Sequence, residues 1–298
     1  MRIKLFFLST RPQFLPAIIV PVTLGASAAW HTTGRFNLLF FLISVAAAVF
    51  YHAGMNVIND YYDYRNGTDN INKKGLTPFT GGSRFIQKGL ITPKETLAFG
   101  LGLITLGTIA GLFLSYFSPW LLAIGAVGLF SGYFYSAPPI FLAGRGLGEL
   151  TVGVNFGLLT VLGSYLLQAG SIGTDAVFLS IPISFLIAAL LFINEFPDFE
   201  ADRQANKRNL VVRLGPKKAR GLIFLFIAGA YLGIIAGVMT GFLHALTLIV
   251  MLSLIPALLS AKGLIKNYEG GQSLIPSIKS IILAHLSSGI LLVISNLF

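Results

Sequence analysis

The chain of 298 residues holds eleven acidic side chains, and seven of them fall in two short windows. The first window runs Asn56-Val57-Ile58-Asn59-Asp60-Tyr61-Tyr62-Asp63, then through Arg65 to Gly67 and Asp69. The second runs Asn194-Glu195-Phe196-Pro197-Asp198-Phe199-Glu200-Ala201-Asp202. At about 100° per residue, Asn56, Asp60 and Asp63 share a narrow sector of one helix face. Asn194, Asp198 and Asp202 form a second stripe one turn apart. Asp69 lies outside this phase, because Gly67 is expected to end the first helix before it. Pro197 is expected to free the carbonyl four residues earlier and to kink the second helix.

Two clusters of like charge repel themselves unless cations lie between them. There is no cysteine, and the four histidines are scattered, so the available ligands are oxygens. Such a set favours a hard cation, Mg²⁺ first. Asn56, Asp60, Asp63, Asn194, Asp198 and Asp202 are the candidate metal ligands, the two Asn as neutral oxygens. Lys73, Lys74, Arg84 and Lys88 follow the first cluster, and Arg203, Lys207, Arg208 and Arg213 follow the second. Mg²⁺ is commonly shared between carboxylates and phosphate oxygens, with Lys and Arg taking the remaining phosphate charge. Asn59, Arg65, Asp69, Lys73, Arg84, Lys88, Arg203 and Lys207 are therefore candidate substrate contacts, and Gly81-Gly82-Ser83 could add a backbone anion nest.

The elements that must position these groups are set by composition. Hydrophobic residues make up 55% of the chain and charged residues only 11%, with a mean hydropathy of +0.80. Soluble domains carry about 25% charged residues, so an ordinary soluble enzyme is excluded. The absence of cysteine excludes disulfide scaffolds, iron–sulfur clusters and thiol nucleophiles. A net charge of +10 points to a bilayer surface and an anionic substrate rather than to nucleic acid. A hydrocarbon core of about 30 Å needs about 20 apolar helical residues. Nine stretches qualify, at 13–33, 36–58, 95–116, 119–136, 147–168, 176–196, 218–240, 243–264 and 276–296. They are continuous rather than alternating, so the expected fold is an all-α integral membrane protein of nine helices around a central cavity. With the N-terminus in the cytoplasm, every one of the 21 basic residues except Arg35 falls on that side. No cleavable signal peptide is expected, since the first apolar run follows Arg11-Pro12 and continues as a full span. One domain, 1–298, is expected, with lid loops at about 59–94 and 195–217 at the cytoplasmic face of the cell membrane. The sequence says nothing of oligomeric state.

Further pieces then carry a resemblance. They are Arg11-Pro12 with Pro16 and Pro21, Asn59 to Asp63 running on to Gly67-Thr68-Asp69, and Gly81-Gly82-Ser83-Arg84. Beyond them lie Tyr135-Ser136-Ala137-Pro138-Pro139, Arg145-Gly146-Leu147-Gly148-Glu149, and Asp198 to Asp202 leading into Lys207-Arg208. The chain resembles the UbiA superfamily of intramembrane prenyltransferases over nearly its whole length. Within it, the chain is most similar to the 1,4-dihydroxy-2-naphthoate polyprenyltransferases of menaquinone synthesis. Gly67 stands where the ubiquinone type has its third Asp, which disfavours 4-hydroxybenzoate as acceptor. Leu142-Ala143-Gly144 stands where many relatives have a Lys. Glu195 replaces the commoner second Asn and could be ligand, neighbour or neither.

The resemblance implies Asp60, Asp63, Asp198 and Asp202 as catalytic residues holding Mg²⁺ against a polyprenyl diphosphate. The electrophilic tail would then pass to an aromatic acceptor, with loss of carbon dioxide or a proton. Tyr135, Arg145, Glu149 and Asn155 are candidate acceptor contacts, although an interfacial belt or interhelical hydrogen bonds would explain them as well. His52 reads as a satisfied interhelical side chain. Other acceptors (4-hydroxybenzoate, another phenol, a porphyrin or a glycerol phosphate) stay open. A cation-coupled transporter is the rival reading, but transporter carboxylates sit near mid-membrane and these lie at span ends. The donor tail would need an apolar groove, and the small residues Gly25-Ala26, Gly153, Gly157 and Gly289 are where room for it is expected.

Overall fold

The computed structural model describes residues 2–72 and 75–298, and no strand occurs among them. Lys73, a candidate substrate contact, lies outside the described residues. The helices, in chain order, are α1 (Arg2–Ser9), α2 (Pro16–Thr33), α3 (Leu38–Arg65), α4 (Thr68–Ile71), α5 (Pro93–Phe117), α6 (Trp120–Ser136) and α7 (Gly148–Val152). A π-helical segment, Gly153–Leu159, joins α7 to α8 (Thr160–Ala169). Then follow α9 (Thr174–Gln204), α10 (Leu210–Leu214), α11 (Pro216–Ala219), α12 (Ile223–Met239), α13 (Leu254–Asn267) and α14 (Ile275–Ser295).

Among the described residues, seven helical stretches are long and apolar enough to cross a membrane. These are Leu38–Arg65, Pro93–Phe117, Gly148–Ala169, Thr174–Gln204, Pro216–Met239, Ala245–Asn267 and Gln272–Ser295. The chain is built as a multi-pass membrane protein. The other two expected stretches are helical but different in kind. Trp120–Ser136 is a shorter apolar helix, and Pro16–Thr33 pairs with Arg2–Phe14 across a 56° bend. Arg11 sits at that bend in the left-handed region, at φ 55°.

Local chemistry sets the ends nearest the acids. Gly67, at φ 89°, stops α3 and starts α4, which carries Asp69 away from the stripe as its spacing requires. Thr92 and Glu95 form a reciprocal capping box with Pro93 at the first position of α5. Helix α9 stays helical through both Pro182 and Pro197, which keeps Asn194, Asp198 and Asp202 on one continuous face.

Helix α9 is the axis of the bundle. Leu186, Ile187, Phe192 and Ile193 pack with Ile223 and Ile227 of α12, Ala257 and Ala261 of α13, and Ile278 and Ile281 of α14. Leu179 and Ile183 join Leu24 and Ala28 of α2, Val161 of α8 and Leu292 of α14 in a second cluster. In lipid the apolar effect does not drive helices together, so close packing over small residues has to. A Cβ at Gly25 would lie 2.3 Å from the Val161 carbonyl, one at Gly153 2.9 Å from that of Ser184, and one at Gly289 1.9 Å from Val20. The expectation that these glycines leave room for a tail is therefore corrected: neighbouring helices fill that room. Gly157 is equally confined, with a Cβ placed 2.0 Å from Ser184 Oγ and 2.5 Å from Ser184 N. Gly157→Val is expected to cost about 1–3 kcal/mol, the usual penalty for overpacking, read as a lowered thermal midpoint in detergent. A midpoint equal to the parent's would show that α9 can yield at this contact.

Candidate active site

Both acidic stripes face one cavity of about 430 Å³. Asp63 and Asp69 line it from the first window, and Asn194, Glu195, Asp198 and Asp202 from the second. Asp60 is 3% exposed beside it, paired with the Arg11 guanidinium and accepting a hydrogen bond from Ser83 N at 3.1 Å. Arg11 also donates to Asn59 Oδ1 at 3.2 Å. Asp63 Oδ2 accepts from Asn59 Nδ2 at 3.1 Å and from Lys207 Nζ at 3.3 Å. Lys207 stands 3.8 Å from Asp202 Oδ1, so one ammonium bridges α3 and α9. On the far wall Asp198 accepts from Asn72 Nδ2 at 2.7 Å and from Gly81 N at 3.3 Å. Asp202 Oδ2 accepts from Asn209 Nδ2 at 2.7 Å, while Asn209 Oδ1 caps α10 by accepting from Val212 N.

Charge balance accounts for this arrangement. Burial alone would lower the Lys207 ammonium, but Asp202 and Asp63 outweigh it and raise its pKa. Among the described residues Asp69 has no ion pair of its own. Burial, then Asp63 and Asp60, push its carboxyl up to about 8. A raised acid holds its proton in the folded state after the unfolded chain has lost it, so stability falls as pH rises from about 4 to about 8. Asp69→Asn removes that loss. In EDTA, the variant is expected to melt several degrees above the parent at pH 9 and level with it near pH 4. A constant offset across the range would show that Asp69 carries no such strain.

Among the described residues no three acids or histidines close on a single point as ligands. Arg11 and Lys207 stand between the carboxylates instead. The donor set still fits Mg²⁺. It is all oxygen, and Asn194 Oδ1 and Asp202 Oδ1 are buried with no hydrogen-bond partner. A Cβ on Gly82 would lie 2.6 Å from Asp69 Oδ2 and 3.2 Å from Asp60 Oδ1, so the loop presses on the acids where only glycine fits.

The other candidates divide cleanly. Asn56 lines the cavity and donates to the Thr10 carbonyl at 3.0 Å. Tyr135 and Lys207 line it too, and so does Asn155, which the π segment carries and Ser131 holds at 3.0 Å. Glu149 lies just behind, carboxyl to carboxyl with the cavity-lining Glu195. Arg65 is exposed and donates to the Tyr61 hydroxyl, and Lys88 is exposed. Arg145 is exposed and bonds the Pro139 carbonyl, and Arg203 pairs with Glu200 outside the cavity. Arg84 turns to the Asn72 carbonyl and steadies the loop rather than lining the cavity. These five basic residues stand outside the cavity lining, and helix phase explains two of them. Arg65 lies about 200° round α3 from Asp63, and Arg203 about 100° round α9 from Asp202.

Arg11, Asn72 and Asn209 are site residues that spacing does not reveal, while Gly82 stands in the expected anion nest. Sequence reasoning also reads His52 as satisfied. In the structure His52 lines the cavity, its Nδ1 has no partner, and its ring meets Phe156 edge-on at 4.8 Å. The Arg11-Pro12 pair was the one advance sign of the arginine.

The UbiA prenyltransferase family matches residues 18–273. The chain belongs to this family. A 1,4-dihydroxy-2-naphthoate octaprenyltransferase of Bacillus subtilis is 31% identical over 91% of this chain and 85% of its own length. One from Mycobacterium tuberculosis is 33% identical over 93% of this chain and 91% of its own. Among solved structures, a UbiA homologue from Archaeoglobus fulgidus bound to GPP and Mg²⁺ superposes with a TM-score of 0.72. It is 17% identical and covers 97% of this chain and 99% of its own, which shows a shared UbiA fold. The acidic cavity therefore lies in a UbiA prenyltransferase.

Proposed function

We propose that this UbiA-family chain transfers a polyprenyl group from a polyprenyl diphosphate to 1,4-dihydroxy-2-naphthoate, at a site held at the cytoplasmic face of the cell membrane. The observation that carries this reading is the meeting of both acidic stripes in one cavity whose remaining wall is mostly apolar. The names of the two naphthoate octaprenyltransferases it resembles support the acceptor. Helices α2 and α6 complete nine spans with the seven longer stretches, and the basic residues crowd the end that holds the acids. That distribution supports a reading with the N-terminus and the site inside.

Asp60 and Asp63 on one wall, with Asp198 and Asp202 opposite, would hold Mg²⁺, and Asn194 would supply a neutral oxygen. Mg²⁺ would supply the positive charge against which diphosphate departs. Arg11 and Lys207, released from the carboxylates by the metal, would turn to the diphosphate oxygens. The donor's C1–O bond breaks with its electron pair leaving on diphosphate. A ring carbon of the acceptor forms the new C–C bond, and loss of carbon dioxide or a proton from that carbon returns an electron pair to the ring and restores aromaticity. Tyr135, Asn155 and Phe156 wall the space beyond the acids and exclude water, which would otherwise quench the allylic cation. A transport role gains no support, because the acids converge at one end beside Arg11 and Lys207 rather than along a path. The deciding experiment supplies purified protein with Mg²⁺, polyprenyl diphosphates and a panel of acceptors. Prenylated naphthoate is expected as the main product. Faster transfer to 4-hydroxybenzoate or to a glycerol phosphate would overturn the acceptor.

A further inference from the structure

The cavity continues past the acids. From Tyr135 it follows one face of α6 through Gly132, Gly128 and Gly125 to Leu121, and meets Gly111 of α5. Those three glycines recur at the spacing that keeps one helix face. Unlike Gly25, Gly157 and Gly289, they hold space rather than contact. A Cβ at Gly125, Gly128 or Gly111 would meet nothing within 4 Å, and one at Gly132 would touch only the flexible end of Met55, at 3.1 Å. No residue of α6 before Ser136 is fully buried. The mouth of this same cavity carries Asn194 Oδ1 and, on the 2%-exposed Asp202, Oδ1, both without a hydrogen-bond partner. A polar head and an apolar tail thus have adjoining places.

We propose that the glycine face of α6 gauges the donor's tail, with Gly128 and Gly125 as successive length stops. This rests on the polyprenyl diphosphate donor proposed above. Helix rise puts Gly128 about 10 Å and Gly125 about 15 Å beyond the level of Tyr135, and Leu121 about 21 Å. Selection along this limb is steric. Bilayer lipid is as apolar as the groove, so a tail gains little by choosing one over the other. A tail anchored by its diphosphate must nevertheless lie somewhere, and a side chain in its path pulls C1 away from the acids.

The test compares Gly128→Phe, Gly125→Phe and the lipid-facing control Val127→Phe, which is 52% exposed, using farnesyl, geranylgeranyl and octaprenyl diphosphates. In Gly125→Phe the ratio of octaprenyl to farnesyl transfer is expected to fall at least about tenfold. In Gly128→Phe the geranylgeranyl-to-farnesyl ratio should fall as well, while Val127→Phe keeps the parent's profile. Unchanged ratios in both glycine variants, or an equal change in the control, would overturn the gauge. Thermal stabilisation by the matching non-transferable thiodiphosphates reads the same length profile without turnover. If no acceptor is prenylated, the reaction assignment fails while the gauge is still scored. Gly128→Val replaces the Phe variant where the larger ring prevents folding.

Discussion

Asp60→Asn and Asp198→Asn are each expected to reduce prenyl transfer by about 10²- to 10³-fold or more, the scale of losing one preorganised electrostatic contact at the reacting centre. The two residues sit on opposite walls. Asp60 is tied to Arg11 and Ser83, and Asp198 to Asn72 and Gly81. Either substitution keeps the side chain's size and a carbonyl oxygen, so the tethers to Ser83 N and Gly81 N can persist while the charge goes. Helical content should match the parent's by circular dichroism. EDTA should reproduce the loss in the parent, and excess Mg²⁺ should reverse it. Transfer within a factor of two of the parent in either variant would remove that carboxylate from the metal site.

The second large effect is expected at Lys207. Its ammonium stands between Asp63 and Asp202, and the carboxylates it serves are 6% and 2% exposed. Removing one partner of a buried ion pair typically costs about 3–5 kcal/mol, because the remaining charge is stranded. Lys207→Met should therefore melt well below the parent in EDTA. Mg²⁺ can stand in as the missing counter-charge, so it should stabilise the variant much more than it stabilises the parent. Transfer should stay depressed even in saturating Mg²⁺, since no ammonium is left to meet the diphosphate. Equal metal-induced shifts in variant and parent would show that Lys207 does not share its carboxylates with the metal.

The parts of this site that could be read in advance are those governed by local periodicity. The stripe of Asp60 and Asp63 and that of Asp198 and Asp202 follow from helix geometry alone, as do the helices that carry them. Arg11 was hidden because it meets Asp60 across 49 positions of sequence, at a bend no propensity marks. Asn72, Ser83 and Asn209 come from loops, where no period constrains direction. Arg65 and Arg203 went the other way: they were included for their charge, although the same phase rule that grouped the acids turns both outward. Glycine is the hardest letter to read. Gly157 and Gly128 look alike in sequence, and only the neighbour across from each decides whether it is a contact or a space.

The pairing of α2 with α14 bears on how the protein is made. His285 Nε2 lies 3.3 Å from the Ala17 carbonyl, His31 Nδ1 lies 3.2 Å from that of Asn296, and Asn296 Nδ2 donates to Ser27 at 3.3 Å. A ribosome delivers α2 long before α14, at about 5–20 residues per second. Until α14 arrives, the Ala17 carbonyl and the Ser27 hydroxyl of α2 lack these partners, although α8 and α9 already cover the rest of its inner face. Helix α14 closes the bundle against α2, so a ribosome that stalls before α14 emerges leaves an open arc of helices rather than a smaller enzyme.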